Sequence, residues 1–419
     1  MRQDPFEQRT KTALAALFLD DRAERAQQMS LEELAGLVET AGGEVLGAVT
    51  QARDAPDPRT FLGTGKLDEL RDFARANEVE LIVFDNELSP SQIKNIEERT
   101  DCRVFDRSML ILEIFDLHAT TWEGKIQVEM AQLRYTLPRL TGKGIELSRL
   151  GGGGGMGARR GKGETRLELQ RRQARDRIAV LRRELADLQR SRRERRRQRD
   201  RAPTAKVVLV GYTNAGKSTL LNTLTGAGVL VEDKLFATLD PTTRRMTAPD
   251  GTALLLTDTV GFISHLPHHL VEAFASTLEE VTYADLLLHV VDVGNPDCER
   301  QMEVCLQQIA ALGAGHLSVV TALNKADLCA PEALPYVPRS VPISAKSGEG
   351  IDALLSLVLQ VLAERQRVVE VLLPYEQSGL AQQMHALGQV LEQDYRADGI
   401  FLRVRGDDRV IGRVSDYRI

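Results

Sequence analysis

The sequence has little of what marks a membrane-spanning or disulfide-bonded protein. No apolar run approaches the roughly 20 residues that cross a bilayer, and the N-terminal stretch carries charges where a signal peptide needs a continuous apolar segment. The four cysteines, Cys102, Cys298, Cys305 and Cys329, include no C-x-x-C pair. We therefore expect neither a zinc site nor a disulfide framework, and the pattern predicts a cytoplasmic protein with reduced thiols and no integral membrane segment.

Aromatic residues are also scarce, at 5% of the chain, but the hydrophobic fraction of 42% and the charged fraction of 27% are ordinary for globular proteins. The composition gives no sign of global disorder. Because a chain of 419 residues is long for one hydrophobic core, we expect two to four domains.

Positive charge is concentrated in one segment of an otherwise acidic chain. Residues 149–201 contain 19 Lys and Arg against 7 Asp and Glu, whereas the whole chain has a net charge of −6, so that the remainder carries −18. A basic block of this kind is either a solvated surface or a nucleic-acid-binding one. Its contrast with the acidic remainder favours nucleic acid.

The first 118 residues alternate helical and strand patterns, which predicts a small α/β domain. A capped amphipathic helix is predicted from Ser30. The other predicted elements are strands at 44–51, 79–88 and 102–106 and helices at 65–78 and 90–100.

Residues 119–201 contain two segments that each carry one apolar stripe at heptad-like spacing. The stripes are Ile126, Met130, Leu133 and Leu137, and Ile178, Leu181, Leu185 and Leu188. Joined through the glycine-rich stretch from Gly151 to Gly163, the two helices would form an antiparallel hairpin with glycines and arginines at its tip. A single helix packed on a neighbouring domain is the alternative.

Residues 202–363 alternate buried apolar strands with helices, which is typical of a parallel sheet covered on both faces. Residues 364–419 show a strand, a helix and a strand, which predict a small C-terminal α+β domain. The predicted fold class is therefore α/β, with the parallel-sheet domain between the hairpin and the C-terminal domain.

A phosphate-binding motif follows the first of these apolar strands. The sequence G-x-x-x-x-G-K-S runs from Gly211 through Gly216, Lys217 and Ser218 and opens a helix. Glycines let backbone N–H groups turn toward phosphates, Lys217 can reach the β and γ phosphates, and the Ser218 hydroxyl can ligate Mg²⁺. The motif indicates a nucleoside triphosphate without selecting the base.

A later motif selects guanine. Asn324, Lys325 and Asp327 form N-K-x-D at the end of a strand, where the carboxylate can accept hydrogen bonds from N1–H and the exocyclic amine of guanine. Adenine lacks that pair of donors, and a buried acceptor left unpaired costs about 1 to 3 kcal/mol. The S-A-K sequence from Ser344 to Lys346 follows the next strand, where a backbone N–H could meet guanine O6. GTP is therefore favoured over ATP.

Between these motifs, Asp258 and Gly261 belong to a D-x-x-G sequence at a strand end. Asp258 is placed to hold Mg²⁺ through water, and the Gly261 N–H can meet the γ-phosphate, so that the following segment responds to that phosphate. Thr238, Thr242 and Thr243 are candidates for a Mg²⁺-binding threonine, and spacing alone does not decide among them.

Four further segments accompany these motifs: the glycine and arginine segment, F-A-T-L-D-P-T-T-R-R, D-T-V-G-F-I-S-H-L-P-H-H-L and the L-L-P-Y…Y-R-A-D-G tail. With them, the sequence resembles the HflX family of translation-associated GTPases over essentially the whole chain. The resemblance implies that Thr238 serves Mg²⁺, that the N-terminal half binds the large ribosomal subunit, and that the protein splits or rescues stalled ribosomes. The glycine loop would then lie against ribosomal RNA, with arginines neutralising phosphates.

The motifs and the resemblance together predict a GTP and Mg²⁺ site. Its predicted nucleotide-binding residues are Gly211, Tyr212, Thr213, Asn214, Ala215, Gly216, Lys217, Ser218, Thr219, Phe236, Ala237, Thr238, Leu239, Asp240, Asp258, Thr259, Val260, Gly261, Asn324, Lys325, Ala326, Asp327, Ser344, Ala345 and Lys346. The predicted metal ligands are Ser218, Thr238 and Asp258, and the predicted catalytic residues are Lys217, Asn214 and Gly261.

The sequence departs from many GTPases where they carry a glutamine that positions the attacking water. Phe262 stands there, and an apolar side chain can neither orient nor deprotonate water, so we expect slow intrinsic hydrolysis that an outside factor, the ribosomal subunit, accelerates. Asn214 resembles the asparagine of GTPases that use K⁺ in place of an arginine finger, and K⁺ dependence is the corresponding hypothesis.

Two other functions compete with a ribosome-acting GTPase. A GTP-dependent switch that acts on a protein partner without RNA contact would use the acidic C-terminal half as its contact surface. An ATP-dependent small-molecule kinase is disfavoured by Asp327. We expect a monomer in each case.

Overall fold

The computed structural model describes residues 9–19, 24–139, 160–199, 204–226, 235–236, 241–264, 280–406 and 408–419. These residues fall into two compact units. The first contains the chain up to Asp187 together with Leu235 and Phe236, and the second contains the other described residues. Within the described ranges, no helix has the length and apolar character needed to cross a membrane.

The first unit is built on a four-stranded parallel sheet in the order β2-β1-β3-β4. Its elements are β1 (Thr10–Phe18), α1 (Glu24–Thr40), β2 (Gly43–Ala52), α2 (Thr64–Ala76), β3 (Leu81–Phe84), α3 (Pro90–Thr100), β4 (Arg103–Asp106) and α4 (Arg107–His118). Alternate residues of β1, Ala13 and Ala15, share one hydrophobic core with Leu67 and Leu70 of α2. The predicted α/β character of this region is confirmed.

Two details of the first unit differ from the sequence prediction. The central strand β1 was not predicted, because its alanine-rich sequence carries little β propensity and is selected by burial between β2 and β3. Helix α1 begins at Glu24, so that Ser30 lies inside the helix instead of capping it. The Ser30 hydroxyl donates to Asp85 Oδ2 at 2.6 Å.

A buried arginine joins three elements of the first unit. Arg107, at the start of α4, is 2% exposed and donates to Asp85 Oδ1 at 2.6 Å and to Glu33 Oε2. Asp85 directly follows β3, and Glu33 lies in α1. Since a buried charge is tolerated only with such partners, the pairing fixes α1 and α4 on the sheet.

Helices α5 (Trp122–Arg139) and α6 (Arg160–Arg199) form the predicted hairpin. Ile126, Ile178 and Leu181 are buried, as the two apolar stripes predict. Beside them, the Arg177 guanidinium donates to both carboxylate oxygens of Glu129 at 2.8 Å. This ion pair joins the two helices beside their buried apolar residues.

The glycine tip is shorter than predicted. Helix α6 begins at Arg160, so that Gly161 and Gly163 belong to the helix, while residues 151–159 lie outside the described ranges. Glycine costs a helix about 1 kcal/mol per residue, and the neighbouring Arg, Lys and Glu residues, which are good helix formers, offset that cost.

The second unit contains a six-stranded sheet in the order β10-β9-β8-β5-β7-β6. Its elements are β5 (Ala205–Gly211), α7 (Lys217–Thr225), β6 (Thr242–Thr247), β7 (Ala253–Asp258), β8 (Leu286–Asp292), α8 (Cys298–Ala311), β9 (Val319–Asn324), β10 (Ser340–Pro342) and α9 (Ile351–Glu364). All pairs are parallel except β6 with β7. The carboxyl ends of the parallel strands share one edge, where this fold class places ligands.

The chain ends in a three-stranded antiparallel sheet in the order β11-β13-β12, with a core of its own. Its elements are β11 (Arg367–Leu373), α10 (Ser378–Leu387), β12 (Gln389–Arg396), β13 (Gly399–Gly406) and α11 (Asp408–Gly412). The predicted α+β character is confirmed, with one strand more than the sequence pattern indicated.

Candidate nucleotide-binding site

The loop between β5 and α7 follows the G-x-x-x-x-G-K-S motif and needs glycine at two positions. Gly211 has a φ of +156° and Gly216 a φ of +92°. A Cβ on Gly211 would lie 2.3 Å from the carbonyl oxygen of Val290, and one on Gly216 would lie 2.3 Å from Nδ2 of Asn324. Both glycines are therefore required by steric contact as well as by backbone conformation.

Lys217 is held inside this loop. Its side chain is 6% exposed, and Nζ donates to the carbonyl oxygens of Gly211 at 3.2 Å and Tyr212 at 2.8 Å. Burial lowers the pKa of the amine, and the negative charge of Asp258 opposes that shift. An anion that replaced the two carbonyl groups would stabilise the charged amine further.

Two buried titratable side chains lie near enough to Lys217 for its charge to affect their pKa values. His289 of β8 is 2% exposed, and burial, with a smaller effect from Lys217, lowers its pKa to about 4. Cys305 of α8 is 1% exposed, and burial raises its pKa to about 12. Both groups are therefore uncharged at neutral pH.

Two predicted metal ligands face each other. The Ser218 hydroxyl donates to Asp258 Oδ2 at 2.6 Å, and Asp258 is fully buried at the end of β7. The neighbouring Thr259 hydroxyl donates to the carbonyl oxygen of Leu209 at 2.7 Å, which fixes the strand end. A hydroxyl and a carboxylate are hard oxygen donors, so that this pair fits Mg²⁺.

The segment that precedes β6 is described only in part. Ala237, Thr238, Leu239 and Asp240 lie outside the described residues. Phe236, predicted to contact nucleotide, is 3% exposed within the first unit, and its ring centroid lies 4.8 Å from that of Phe115. Of the other threonine candidates, Thr242 pairs with Asp258 in the sheet and Thr243 Oγ1 lies 3.0 Å from Thr257 Oγ1.

The guanine motif is hydrogen-bonded to the phosphate loop. Asn324 is 2% exposed; its Nδ2 donates to the carbonyl oxygen of Ala215 at 2.8 Å, and its Oδ1 accepts from the N–H of Ala345 at 2.9 Å. Asn324 thus joins the phosphate loop to the S-A-K loop. Asp327 is exposed, so that its carboxylate is accessible to a base.

The D-x-x-G segment also lies against the phosphate loop. A Cβ on Gly261 would lie 2.8 Å from Cα of Thr213 and 3.0 Å from Nζ of Lys217. The Phe262 side chain is 2% exposed, in agreement with its apolar character. A buried phenyl ring offers no group that could orient water.

Sequence reasoning missed three side chains that shape this site. Ser264 lies 2.7 Å from the Tyr212 hydroxyl, Asp292 pairs with Nζ of Lys325 at 2.6 Å, and the Thr223 hydroxyl donates to the carbonyl oxygen of Ala345 at 2.6 Å. Since these contacts join residues far apart in sequence, no local motif signals them. The predicted site residues in the second unit nevertheless converge at one edge of its sheet.

Three protein-family profiles match consecutive parts of the chain. They are described as "GTP-binding GTPase N-terminal" over residues 28–116, "GTP-binding GTPase Middle Region" over 118–199 and "50S ribosome-binding GTPase" over 206–325. Together they span the N-terminal α/β region, the hairpin and most of the six-stranded sheet.

Whole proteins match as well. The chain is 47% identical to "GTPase HflX" of Lacrimispora saccharolytica over 92% of each chain, and 39% identical to "GTPase HflX" of Escherichia coli over 90% of this chain and 89% of that one. A solved structure, "SsGBP and GDP complex", aligns over 84% of this chain and 99% of its own, with 24% identity and a TM-score of 0.48. Because identity to the curated relatives extends across both units, the chain belongs to the HflX family of GTPases, and it binds and hydrolyses GTP.

Proposed function

We propose that this GTPase binds the large ribosomal subunit through its hairpin and uses the GTP cycle to split or rescue stalled ribosomes. The observation that carries the proposal is the surface of α6. Arg172, Arg182 and Arg183 are exposed there, and none forms an ion pair with another described residue. Free guanidinium groups on a long helix are suited to neutralising RNA phosphates. The family description "50S ribosome-binding GTPase" agrees with this partner.

GTP would be bound and hydrolysed at the edge of the six-stranded sheet where the parallel strands end. We assign the β and γ phosphates to Lys217, the guanine ring to Asp327, and the γ-phosphate response to the Gly261 N–H. Ser218 and Asp258 would hold Mg²⁺ together with Thr238, and the ion would neutralise charge on the phosphates. K⁺ beside Asn214 is part of the same proposal, since Asn214 is exposed and has a φ of +59° on this loop.

The test is GTP hydrolysis with and without purified large ribosomal subunits. Stimulation by the subunits is expected in the unchanged protein and should be lost when Arg172, Arg182 and Arg183 are changed to alanine. A matched variant changes three exposed arginines of the second unit, Arg339, Arg403 and Arg418, to alanine and should keep the stimulation.

A second variant replaces the segment from Gly151 to Gly163 with a short neutral linker and tests the tip separately. If subunits stimulate neither the unchanged protein nor the variants, the ribosomal proposal is wrong. A switch that acts on a protein partner without RNA contact is then the better reading. Salt-dependent RNA binding by the unchanged protein separates the same two functions.

A further inference from the structure

The Tyr212 side chain connects the phosphate loop to the segment after D-x-x-G. Tyr212 is 7% exposed, and its hydroxyl oxygen lies 2.7 Å from both the main-chain nitrogen and Oγ of Ser264. The Ser264 N–H donates to the phenol oxygen, and one of the two hydroxyl groups donates to the other. The buried phenol is thus hydrogen-bonded to a residue 52 positions further along the chain.

The main chain makes a parallel connection beside this phenol. The Phe262 N–H donates to the carbonyl oxygen of Gly211 at 3.0 Å, and the Thr213 N–H donates to the carbonyl oxygen of Phe262 at 2.8 Å. An isolated bridge of this kind is short, and few main-chain hydrogen bonds hold it. We call these two bonds and the two contacts between Tyr212 and Ser264 the loop clamp.

The loop clamp begins one residue after Gly261. Gly261 packs so closely on Thr213 and Lys217 that a Cβ would lie within 3.0 Å of atoms in both residues. The residues that fix the chain before and after Gly261 therefore determine where its N–H lies relative to a γ-phosphate. Asp258 and Thr259 fix the preceding side, and the loop clamp fixes the following side.

We propose that Tyr212 is a positioning residue for GTP hydrolysis. Its hydroxyl acts through Ser264 to hold Gly261 against the phosphate loop, where the Gly261 N–H can meet the γ-phosphate. The buried Phe262 ring has no polar group that could interact with the γ-phosphate or with water, so that this interaction must come from correctly placed main-chain groups. The inference concerns the GTPase reaction and does not depend on the ribosomal proposal.

Tyr212→Phe tests the proposal, because it removes the hydroxyl and keeps the ring. We expect kcat to fall about tenfold while the dissociation constant for GDP changes less than about twofold. The affinity for a non-hydrolysable GTP analogue, relative to that for GDP, should fall several-fold. A purely structural side chain would not change that ratio.

Variants at Ser264 sharpen the test. Ser264→Ala keeps the N–H that donates to Tyr212, so that its effect should be smaller than that of Tyr212→Phe. Ser264→Thr keeps the hydroxyl as well and should retain kcat. The double variant Tyr212→Phe with Ser264→Ala should be no slower than Tyr212→Phe alone, because both changes break the same connection.

Tyr336→Phe is the matched control, since Tyr336 is 94% exposed in the same unit, and it should leave every constant unchanged. The proposal is overturned if Tyr212→Phe hydrolyses GTP at the unchanged rate with an unchanged affinity ratio. It is equally overturned if Tyr212→Phe weakens both nucleotides alike and lowers the melting temperature, since the side chain would then serve folding alone.

Discussion

Asn324 Nδ2 donates to the carbonyl oxygen of Ala215 at 2.8 Å, so that the motif expected to bind the base is hydrogen-bonded directly to the loop expected to bind phosphates. Changing Asn324 to alanine leaves this carbonyl and the Ala345 N–H without their partner. A buried polar group without a partner costs about 1 to 3 kcal/mol.

Asn324→Ala should therefore lower the affinities for GTP and for GDP by similar factors, roughly 10- to 100-fold. Titration with a fluorescent guanine nucleotide measures both. Asn77→Ala, at an exposed helix end in the first unit, is the control and should bind nucleotide normally. An effect on GTP alone would contradict a role for Asn324 in the loop framework.

Asp327 is expected to determine the base. Changing it to asparagine keeps the shape but replaces one acceptor oxygen with a donor, so that affinity for GTP should fall by about 2 kcal/mol or more. Xanthosine triphosphate, which presents an oxygen in place of the exocyclic amine, should bind the variant better than GTP does. Asp352→Asn, also exposed, should retain the GTP preference. Unchanged selectivity in Asp327→Asn would remove Asp327 from the base site.

Asn214 is expected to make hydrolysis depend on the monovalent cation. The rate in K⁺ should exceed the rate in Na⁺ at equal ionic strength, and Asn214→Ala should remove the difference by lowering the K⁺ rate alone. Steady-state phosphate release in the two salts measures this effect. Equal rates in K⁺ and Na⁺ for the unchanged protein would show that Asn214 only shapes the loop.

His289 should make stability depend on acid pH. Its pKa is lowered to about 4 in the folded protein from 6.5, so that between these values the unfolded chain binds a proton that the folded chain does not. Stability should therefore fall as pH decreases from 6.5 to 4, by up to about 3 kcal/mol, and this contribution should not vary above pH 6.5. Urea unfolding at several pH values should show that the unfolding free energy of His289→Leu changes less steeply with pH in that window. His316→Leu, at an exposed position, should keep the original slope.

Arg107 should be critical for the first unit. Arg107→Met leaves Glu33 and Asp85 partly buried without their cation, which should cost about 3 to 5 kcal/mol of unfolding free energy. Denaturant unfolding measures the change, and Arg107→Lys, which keeps the charge without the planar fork, should lose less. Arg71→Met, which breaks surface ion pairs, is the control and should unfold almost as the unchanged protein does. A small effect at Arg107 would mean that the two carboxylates find water or protonate.

Motifs that combine a strand end with a glycine turn could be read from sequence alone. Lys217, Asp258 and Asn324 share one sheet edge because parallel strands end there, and apolar runs predict such strands. Strand β6 was missed because its polar sequence lies at an edge, where burial does not enforce an apolar pattern. Ser264 was missed because its contact with Tyr212 is set by tertiary packing.

The close approach of Gly216 to Asn324 constrains how this sequence can change over time. Any side chain at position 216 would collide with Nδ2 of Asn324, 108 positions along the chain, before it could disturb a phosphate. Shortening residue 324 would remove that collision but weaken nucleotide binding, and the φ of +92° at position 216 would still strain any side chain there. We therefore expect glycine at position 216 and asparagine at position 324 to be retained together, although they belong to motifs far apart in the sequence.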